Sequence, residues 1–318
     1  MIYLSKVTQK YKGVTIAHYL SHRFTYKTIE VWLELLKKGC ILVNGDICSS
    51  ETLVSQGDEV TCNLEDAPLP ADVNFDYSII YEDEHLLAIN KPSNLLVHDK
   101  HKYSQANLIY HIRSRHQPPY PTASLVNRID KNTSGVILLG RDPDTLSKMN
   151  KIFLDKLVQK EYLALVSGVP AKSEGTVDFP IAKIACTPGM YRYGVDLKNG
   201  KEALTRYQMV ESYAGKFSLL KLWPHTGRTH QLRVHCKAMG HTIVADKLYN
   251  LTDEEYLART TKKKCLHNEL IDRQALHCHS VTFVHPHTEE TCRIEAPLPG
   301  DFKSLLNKVS ALGNEVLQ

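Results

Sequence analysis

Six polar side chains directly precede a run of aliphatic residues near the middle of the chain. They are Arg128, Asp130, Lys131, Asn132, Thr133 and Ser134. The run that follows, residues 136–139, is Val-Ile-Leu-Leu, which predicts a strand buried on both faces. A loop at the end of such a strand is held in a fixed geometry, so the carboxylate of Asp130 is a candidate catalytic group. The same composition also fits an Asp–Arg ion pair in a solvated turn, and these residues alone leave both interpretations open.

The loop segment resembles a known enzyme signature. Residues 127–130 (Asn-Arg-Ile-Asp) and 133–135 (Thr-Ser-Gly) are similar to the H-R-L-D-x-x-T-S-G motif of the RluA family of RNA pseudouridine synthases. Asn127 stands where the family usually has His, and Ile129 stands where it has Leu. The second change keeps an apolar side chain, whereas the first replaces an imidazole by an amide.

Two segments on either side of the loop extend this resemblance. Residues 79–92 predict a strand, an acidic turn and a strand, and they resemble the family's Y-E-D-x-x-L-L-x-x-N-K-P segment. Residues 158–168 predict another strand, because alternate side chains point to opposite faces. This strand resembles the family's K-x-Y-x-A-x-V-x-G pattern, which implies that Tyr162 approaches the catalytic aspartate.

A further segment, residues 224–235, matches the family's H-T-G-R-T-H-Q-L-R-V-H motif almost residue for residue. Thr229 can cap a helix over residues 230–239, and Gly240 is expected to end it. Arg228 then lies at the helix N-terminus, where unpaired N–H groups favour an anion. We therefore expect Arg228 to pair with Asp130 or to hold an RNA phosphate.

The resemblance implies the isomerisation of uridine in RNA to pseudouridine. The C1′–N1 bond breaks, the uracil turns, and C5 bonds to C1′, with Asp130 as nucleophile or as base at C2′; both roles stay open. Tyr162 is expected near the base, helping to remove the C5 proton, and Arg228 is expected to orient Asp130. Arg128 is implied to fill the stack that the flipped base leaves, and Leu232 to line the pocket. The reaction needs no cofactor.

The N-terminal residues predict two helices followed by a hairpin, an order that resembles an S4-type RNA-binding domain. Residues 6–38 carry seven Lys and Arg against two Glu, whereas residues 46–66 carry six acids and no Lys or Arg. Such segregation favours phosphate contacts on one face, although a solvated helix surface is the alternative. The candidate RNA-binding residues are Arg23, Lys27, Lys37 and Lys38.

The predicted organisation is an α+β protein with two domains. Residues 1–66 form a small α/β S4-like domain, residues 67–75 a proline-punctuated linker, and residues 76–318 the catalytic domain. The catalytic domain is expected to contain a mixed, mainly antiparallel sheet with flanking helices, as the resemblance implies. Its basic segment at residues 250–270 is expected to be a peripheral insertion.

The S4-like start implies that the partner is structured RNA. It favours large-subunit ribosomal RNA over transfer RNA as that partner. A catalytically idle RNA-binding protein is the competing class, supported by Asn127 alone. A metal-dependent nuclease or deaminase is disfavoured because His230 and His235 are five residues apart, so they do not share a helical face. We expect no metal, a cytoplasmic protein without a membrane span or signal peptide, and a monomer as the default state.

Overall fold

The computed structural model describes residues 2–25, 28–63, 73–98, 105–187, 190–251 and 269–314. The chain divides into two compact units, of which the first comprises Met1–Val73 and His98–Tyr110. The second comprises Asn74–Val97 and His111–Gln318. Each unit has its own cluster of buried apolar side chains.

In the first unit, two helices and a four-stranded antiparallel sheet share one core. Its elements are β1 (Ile2–Lys6), a 3₁₀ helix (Gln9–Tyr11), α1 (Ile16–Arg23), α2 (Ile29–Lys37), β2 (Ile41–Val43), β3 (Asp46–Ile47) and β4 (Glu59–Asn63). The strands lie in the order β1-β4-β2-β3. Tyr19 and Trp32 are buried because the apolar sides of α1 and α2 face this core. The predicted succession of two helices and a hairpin is confirmed.

The second unit carries the remaining strands and most of the helices. The strands before residue 170 are β5 (Ser78–Glu82), β6 (Leu86–Lys91), β7 (Ser124–Leu125), β8 (Ser134–Gly140) and β9 (Gln159–Ser167). Those after it are β10 (Glu174–Val177), β11 (Ile181–Thr187), β12 (Met190–Val195), β13 (Thr205–Tyr213), β14 (Phe217–Pro224), β15 (Leu276–Val284) and β16 (Thr291–Glu295). Helix α3 (Leu108–Ser114) begins in the first unit and enters the second at His111, and the remaining helices are α4 (Pro143–Leu154), α5 (Gln231–Ala238) and α6 (Gly300–Asn314).

Ten of the described strands form one sheet in the second unit. Its order is β10-β13-β14-β9-β15-β8-β6-β5, with β16 added beside β15 and β7 beside β8. Among the described pairs only β8 and β15 run parallel, and all others are antiparallel. Strands β11 and β12 form a separate hairpin. The predicted α+β fold with a mixed, mainly antiparallel sheet is therefore confirmed.

Strand β8 lies in the interior of this sheet, between β6 and β15. The side chains of residues 136–139 are completely shielded from solvent, as the aliphatic run predicts. Helix α4 packs against β8 and adds Met149 to the same core. The polar loop at the start of β8 is therefore anchored to one of the most deeply buried strands of the protein.

Two helices begin with a side-chain cap, and a third begins differently from its prediction. Thr15 accepts a hydrogen bond from the backbone N–H of His18, and Asp142 accepts one from that of Thr145. At α5, the prediction that Thr229 is the N-cap is wrong. The cap position is occupied by His230, whose backbone is left-handed with a φ of 57°. The structure describes no helix long and apolar enough to cross a bilayer.

Candidate active site

The loop of Asp130 is fixed by hydrogen bonds at the start of β8. The backbone N–H of Thr133 donates to the carbonyl of Asp130 over 3.1 Å, which closes a tight turn. The hydroxyl of Thr133 accepts from Nε2 of Gln274, which is buried next to it. Buried polar groups satisfied in this way keep the turn in one conformation.

Gly135 is paired in register with Cys278 where β8 runs beside β15. Its φ is +114°, and an added Cβ would lie 2.1 Å from the carbonyl oxygen of Cys278. Only glycine fits here, because both the backbone angle and the space exclude a side chain. One residue earlier, the Oγ atom of Ser134 lies 2.9 Å from Nδ1 of the buried His277. The Thr-Ser-Gly segment of the motif thus joins the loop to β15.

Lys91, at the end of β6, fastens the loop from the other side. Its side chain is completely buried, and Nζ donates to the carbonyl oxygens of Pro92, Leu95 and Lys131 over 2.7, 2.9 and 3.0 Å. Burial lowers the pKa of Lys91 to about 7, but the three acceptors match the three N–H groups of the ammonium form. Lys91 therefore ties the residue after Asp130 to the segment that follows β6.

The carboxylate of Asp130 is bound by Arg233, which lies in α5. The Nη1 atom of Arg233 donates to Oδ2 of Asp130 over 2.8 Å. Its Nε and Nη2 atoms donate to the two carboxylate oxygens of Asp246 over 2.7 and 2.9 Å. Asp246 is fully buried, whereas the side chain of Asp130 is 29% exposed, so only Asp130 can meet a substrate. Arg233 thus holds the accessible carboxylate in place and is itself held by the buried one.

Burial and charge oppose each other in this ion-pair network. Burial alone would lower the pKa of Arg233, but the carboxylates of Asp246 and Asp130 outweigh it and raise the pKa. Burial likewise disfavours ionised Asp246, but Arg233 and the backbone N–H groups of Leu248 and Tyr249 hold its pKa below the usual value. Both groups are therefore charged at neutral pH.

The expectation that Arg228 pairs with Asp130 is wrong. Arg228 is exposed, its Nε donates to the carbonyl of Glu202 over 3.0 Å, and its backbone N–H donates to Gln231. The arginine that contacts the carboxylate lies five residues later in the same motif. The reason is that α5 begins at Gln231, so Arg228 belongs to the preceding loop, whereas Arg233 lies on the buried side of the helix.

Tyr162 lies in β9 beside β15 and is buried, paired in register with Cys278. Burial raises the pKa of Tyr162 well above its usual value, and the neighbouring Cys278 and the charge of Asp130 add to this effect. Strand β15 pairs with β9 on one side and with β8, which follows the Asp130 loop, on the other, so Tyr162 and Asp130 lie on neighbouring parts of the sheet. Because its pKa is raised, Tyr162 is a neutral phenol at physiological pH.

His230 also lies next to Asp130, and the sequence did not identify it. Its Nε2 atom is 3.8 Å from Oδ2 of Asp130, and its Nδ1 atom is 3.0 Å from the hydroxyl of Tyr249. That hydroxyl donates to the carbonyl of Tyr193. Burial and the charge of Arg233 lower the pKa of His230. A half-buried, neutral imidazole therefore lies beside the candidate catalytic carboxylate.

Asn127, the departure from the family motif, has a definite structural role. Its Oδ1 atom accepts a hydrogen bond from the backbone N–H of Leu138 over 2.7 Å, and Val126 donates its N–H to the carbonyl of the same residue. The amide therefore completes the hydrogen bonds of β8 ahead of the Asp130 turn. An unprotonated ring nitrogen of histidine can serve as the same kind of acceptor.

The remaining predicted site residues are distributed over both units. Leu232 is buried in α5 next to Arg233, and Arg128 is exposed on the Asp130 loop. Arg23, Lys37 and Lys38 are exposed in the first unit. Lys27 and the greater part of the 250–270 segment lie outside the described residues. Within the described ranges no group of three or more His, Cys, Asp or Glu side chains is arranged to hold a metal ion.

Comparison with known proteins identifies the family to which this site belongs. The RNA pseudouridylate synthase family pattern matches residues 85–238, a range that includes Asp130, Tyr162 and Arg233. A Chlorobaculum parvum protein named uncharacterized RNA pseudouridine synthase is 32% identical, with 92% of this chain and 93% of that protein covered. The chain belongs to the RluA family of RNA pseudouridine synthases.

Two further relatives support the assignment of this chain to the pseudouridine synthase family. The ribosomal large subunit pseudouridine synthase C of Escherichia coli is 33% identical, with 86% of each chain covered. The solved structure of human RNA Pseudouridylate Synthase Domain Containing 4 is 28% identical, covers 73% of this chain and 92% of that chain, and has a TM-score of 0.56. The resemblance seen in the sequence is confirmed, and the chain is an isomerase that acts on RNA.

Sequence reasoning missed Arg233, Asp246, Lys91 and His230, although a signal existed for some of them. Within its helix, Arg233 is flanked by the apolar residues Leu232 and Val234, which suggests that it is buried. A buried arginine requires a carboxylate partner, so the first acid after the helix was a candidate. No pattern in the sequence indicates the left-handed backbone that places His230.

Proposed function

We propose that this pseudouridine synthase uses Asp130 as its catalytic carboxylate on uridines of large-subunit ribosomal RNA. The observation that carries the proposal is the three-residue network in which buried Asp246 orients Arg233, and Arg233 orients the partly exposed Asp130. A carboxylate held in this way is ready to meet positive charge that develops at C1′. It acts as nucleophile at C1′ or as base at C2′.

The other side chains take supporting roles in this proposal. Tyr162 lies against the target base, and Leu232 lines the pocket from α5. Arg128, exposed on the same loop as Asp130, fills the space in the RNA stack from which the base is flipped. Arg228 binds an RNA phosphate beside the site, since it is exposed and its contact with Asp130 is excluded by the geometry of Arg233.

The first unit is proposed to act as an S4-like RNA-binding domain. Its helices present exposed Arg23, Lys37 and Lys38, and the second half of the unit is acidic. Phosphate contacts from these residues would fix the RNA without reading its sequence. We place the protein in the cytoplasm, because its eight scattered cysteines, none in a C-x-x-C pair, suit a reducing compartment, and we take a monomer as the default state.

The choice of ribosomal RNA rests on the S4-like arrangement and on the name of the Escherichia coli relative, ribosomal large subunit pseudouridine synthase C. Transfer RNA is the alternative substrate for the same reaction. Both RNAs would contain the target base in a folded structure. Each RNA is therefore offered to the enzyme separately, so that a response identifies the substrate.

The experiment measures tritium release from RNA labelled at C5 of uridine. Large-subunit ribosomal RNA and transfer RNA transcripts are offered separately to the wild type, to Asp130→Asn and to Asp272→Asn, whose carboxylate is 94% exposed. We expect release with ribosomal RNA by the wild type and by Asp272→Asn, and at least a 1,000-fold loss, of the order that electrostatic catalysis supplies, in Asp130→Asn. Release with transfer RNA alone would reassign the substrate. Full activity of Asp130→Asn would exclude Asp130 as the catalytic group.

A further inference from the structure

His230 lies beside the candidate catalytic carboxylate in a backbone conformation that few side chains adopt. Its φ of 57° is left-handed, and non-glycine residues held in this region cluster at active sites and ligand-binding sites. The bend at the start of α5 brings Nε2 of the ring to 3.8 Å from Oδ2 of Asp130. The side chain is 22% exposed, against 29% for Asp130, so a substrate that reaches the carboxylate can also reach the ring.

Hydrogen bonding determines which nitrogen of His230 carries the proton in the neutral ring. The hydroxyl of Tyr249 has one hydrogen, which it donates to the carbonyl oxygen of Tyr193 over 3.0 Å. The oxygen of the same hydroxyl therefore accepts from Nδ1 of His230, 3.0 Å away. Nδ1 carries the proton, and Nε2 presents its lone pair on the side of Asp130.

Nε2 of His230 and the carboxylate of Asp130 are two hydrogen-bond acceptors that lie close together. Their separation of 3.8 Å exceeds the roughly 2.7–3.2 Å of an N–H···O bond, so the imidazole does not donate to the carboxylate. Oδ2 of Asp130 accepts from Arg233 instead. Burial and the cation of Arg233 lower the pKa of His230, which keeps the ring neutral. Nε2 is therefore placed to accept a hydrogen from a substrate bound at Asp130.

The proposed role of Asp130 determines where the sugar of the target uridine lies. As nucleophile or as base, the carboxylate must approach C1′ or C2′ to about 3–3.5 Å. These carbons are bonded to each other, and C2′ carries the 2′-hydroxyl. Within an RNA chain the 3′ and 5′ oxygens are esterified and O4′ belongs to the ring, so the 2′-hydroxyl is the one O–H donor of that sugar. It lies within reach of an acceptor 3.8 Å from Asp130.

The uracil has one other donor, the N3–H group, which suits this acceptor less well. Two ring atoms separate N3 from C1′, whereas only C2′ separates the 2′-oxygen from C1′. The uracil also turns during the reaction, so N3–H moves relative to Asp130 while the sugar stays beside it. A contact from His230 to the sugar can persist through the reaction, and a contact to N3 cannot.

We propose that His230 binds the 2′-hydroxyl of the target uridine through Nε2 and makes the site selective for ribose over deoxyribose. This inference rests on the proposed function of Asp130. The hydroxyl donates to Nε2, and the contact holds C1′ and C2′ against the carboxylate without any change in covalent bonds. Tyr162 keeps its proposed position against the base. The 2′-hydroxyl is the group by which a protein distinguishes RNA from DNA at a given nucleotide.

The test compares RNA fragments that differ only in one sugar. The wild type modifies whichever RNA responds in the tritium assay, and sequencing locates the target uridine. A synthetic fragment around that position then carries uridine or 2′-deoxyuridine there, with tritium at C5. The deoxy sugar retains C1′ and the hydrogens of C2′, so both roles of Asp130 stay possible. A fragment with 2′-deoxyuridine at a neighbouring position controls for effects on the RNA structure.

Two variants separate the contributions of the two ring nitrogens. In His230→Asn the amide can replace Nδ1 as donor to Tyr249, but the side chain is too short to replace Nε2, and asparagine tolerates a left-handed backbone. In His230→Gln the side-chain oxygen can reach the position of Nε2 and accept. Relative to wild type, we expect the ratio of kcat/KM for uridine over deoxyuridine to fall about 5- to 10-fold in His230→Asn, the effect of one neutral hydrogen bond. His230→Gln should keep most of this ratio.

The ratio cancels any intrinsic difference in reactivity between the two sugars, because that difference is common to all the enzymes compared. His230→Asn should use the deoxy fragment about as well as the wild type does, which also shows that the variant is folded. An equal loss on both fragments, as a structural residue would give, or a ratio unchanged from wild type, would overturn the proposal. A ratio lowered equally in His230→Gln would assign the effect to Nδ1 and overturn the role of Nε2.

Asp130→Asn separates this inference from the proposed function. It should be inactive on both the uridine and the deoxyuridine fragment. Activity retained in Asp130→Asn refutes the proposed function and this inference with it. An unchanged ratio in His230→Asn, beside an inactive Asp130→Asn, refutes the inference alone.

Discussion

The Nη1 atom of Arg233 lies 2.8 Å from Oδ2 of Asp130, and its other two donors are bound by the buried Asp246. The guanidinium is therefore fixed on one side before it touches the accessible carboxylate on the other. A planar group with donors in a fixed fork suits this bridging role, and the flexible ammonium of lysine does not.

Exchange of arginine for lysine should distinguish the two arginines of the motif. Arg233→Lys cannot contact Asp130 and both oxygens of Asp246 together, so we expect kcat to fall by about 100-fold or more, a loss of several kcal/mol of orientation and charge stabilisation. Arg228→Lys is the matched control, expected to change kcat by no more than a few-fold. Steady-state kinetics on ribosomal RNA measures both, and equal losses in the two variants would contradict the assignment of Arg233.

Removal of the buried carboxylate should cost stability as well as activity. In Asp246→Asn the guanidinium of Arg233 loses one of its two anionic partners inside the protein, which typically costs about 3–5 kcal/mol. The control is Asp272→Asn, because the Asp272–Lys247 pair lies at the surface and such pairs contribute about 0–1 kcal/mol. Urea unfolding followed by circular dichroism gives both values, and a loss below 1 kcal/mol for Asp246→Asn would argue against a strong buried pair.

His277 should make the stability depend on pH in a defined window. Burial is the largest cause that lowers its pKa to about 4, against about 6.5 in the unfolded chain. Between these values the unfolded state binds a proton that the folded state excludes, so stability is lost as the pH falls from about 6.5 towards 4. The difference is on the order of 3 kcal/mol. Unfolding of wild type and His277→Gln at pH 7 and pH 5 should show a steeper loss in the wild type, and parallel losses would contradict this.

Gly135 should not accept a side chain. In Gly135→Ala the new Cβ would meet the carbonyl of Cys278, and the left-handed φ adds strain, so we expect little folded protein or a loss of at least 3 kcal/mol. Gly300→Ala is the control, since no atom lies within 4 Å of its ideal Cβ position. Thermal unfolding of the purified variants tests this, and a stable Gly135→Ala would mean that β8 and β15 can separate without cost.

Asn127 should be replaceable by histidine and not by leucine. In Asn127→Leu the backbone N–H of Leu138 loses its acceptor, with an expected cost of about 1–3 kcal/mol, whereas histidine can accept through a ring nitrogen. We expect Asn127→His to keep turnover within a few-fold of wild type. Parallel measurements of unfolding and turnover decide this, and an inactive but stable Asn127→His would show that the amide has a separate role in catalysis.

The sequence predicted the elements better than the contacts between them. Strand β8 and helix α4 were predictable because an aliphatic run, and an Asp-Pro start before an apolar stripe, are local signals. The parallel pairing of β8 with β15 was not, because its partners are 143 residues apart in the chain. Local sequence patterns do not indicate which distant strands will pair.

The same limit explains the error over Arg228. The motif at residues 224–235 indicates only that an arginine near the start of the helix faces an anion. Both Arg228 and Arg233 fit that description. The choice depends on where α5 begins and on Asp246, which lies outside the motif. Burial of Arg233 and of its partner is a property of the assembled protein, so the residues of the motif alone could not decide between them.

The pairing of β8 with β15 also sets when the site can form during synthesis. Contacts from Gln274, His277 and Cys278 hold the Asp130 turn, so a ribosome must translate beyond residue 278 before the turn can be completed. Such a long sequence separation between partners gives high contact order, which slows folding. A nascent chain therefore contains the whole sequence of its first unit well before it can assemble the Asp130 turn, and modification of RNA is a late property of the newly made protein.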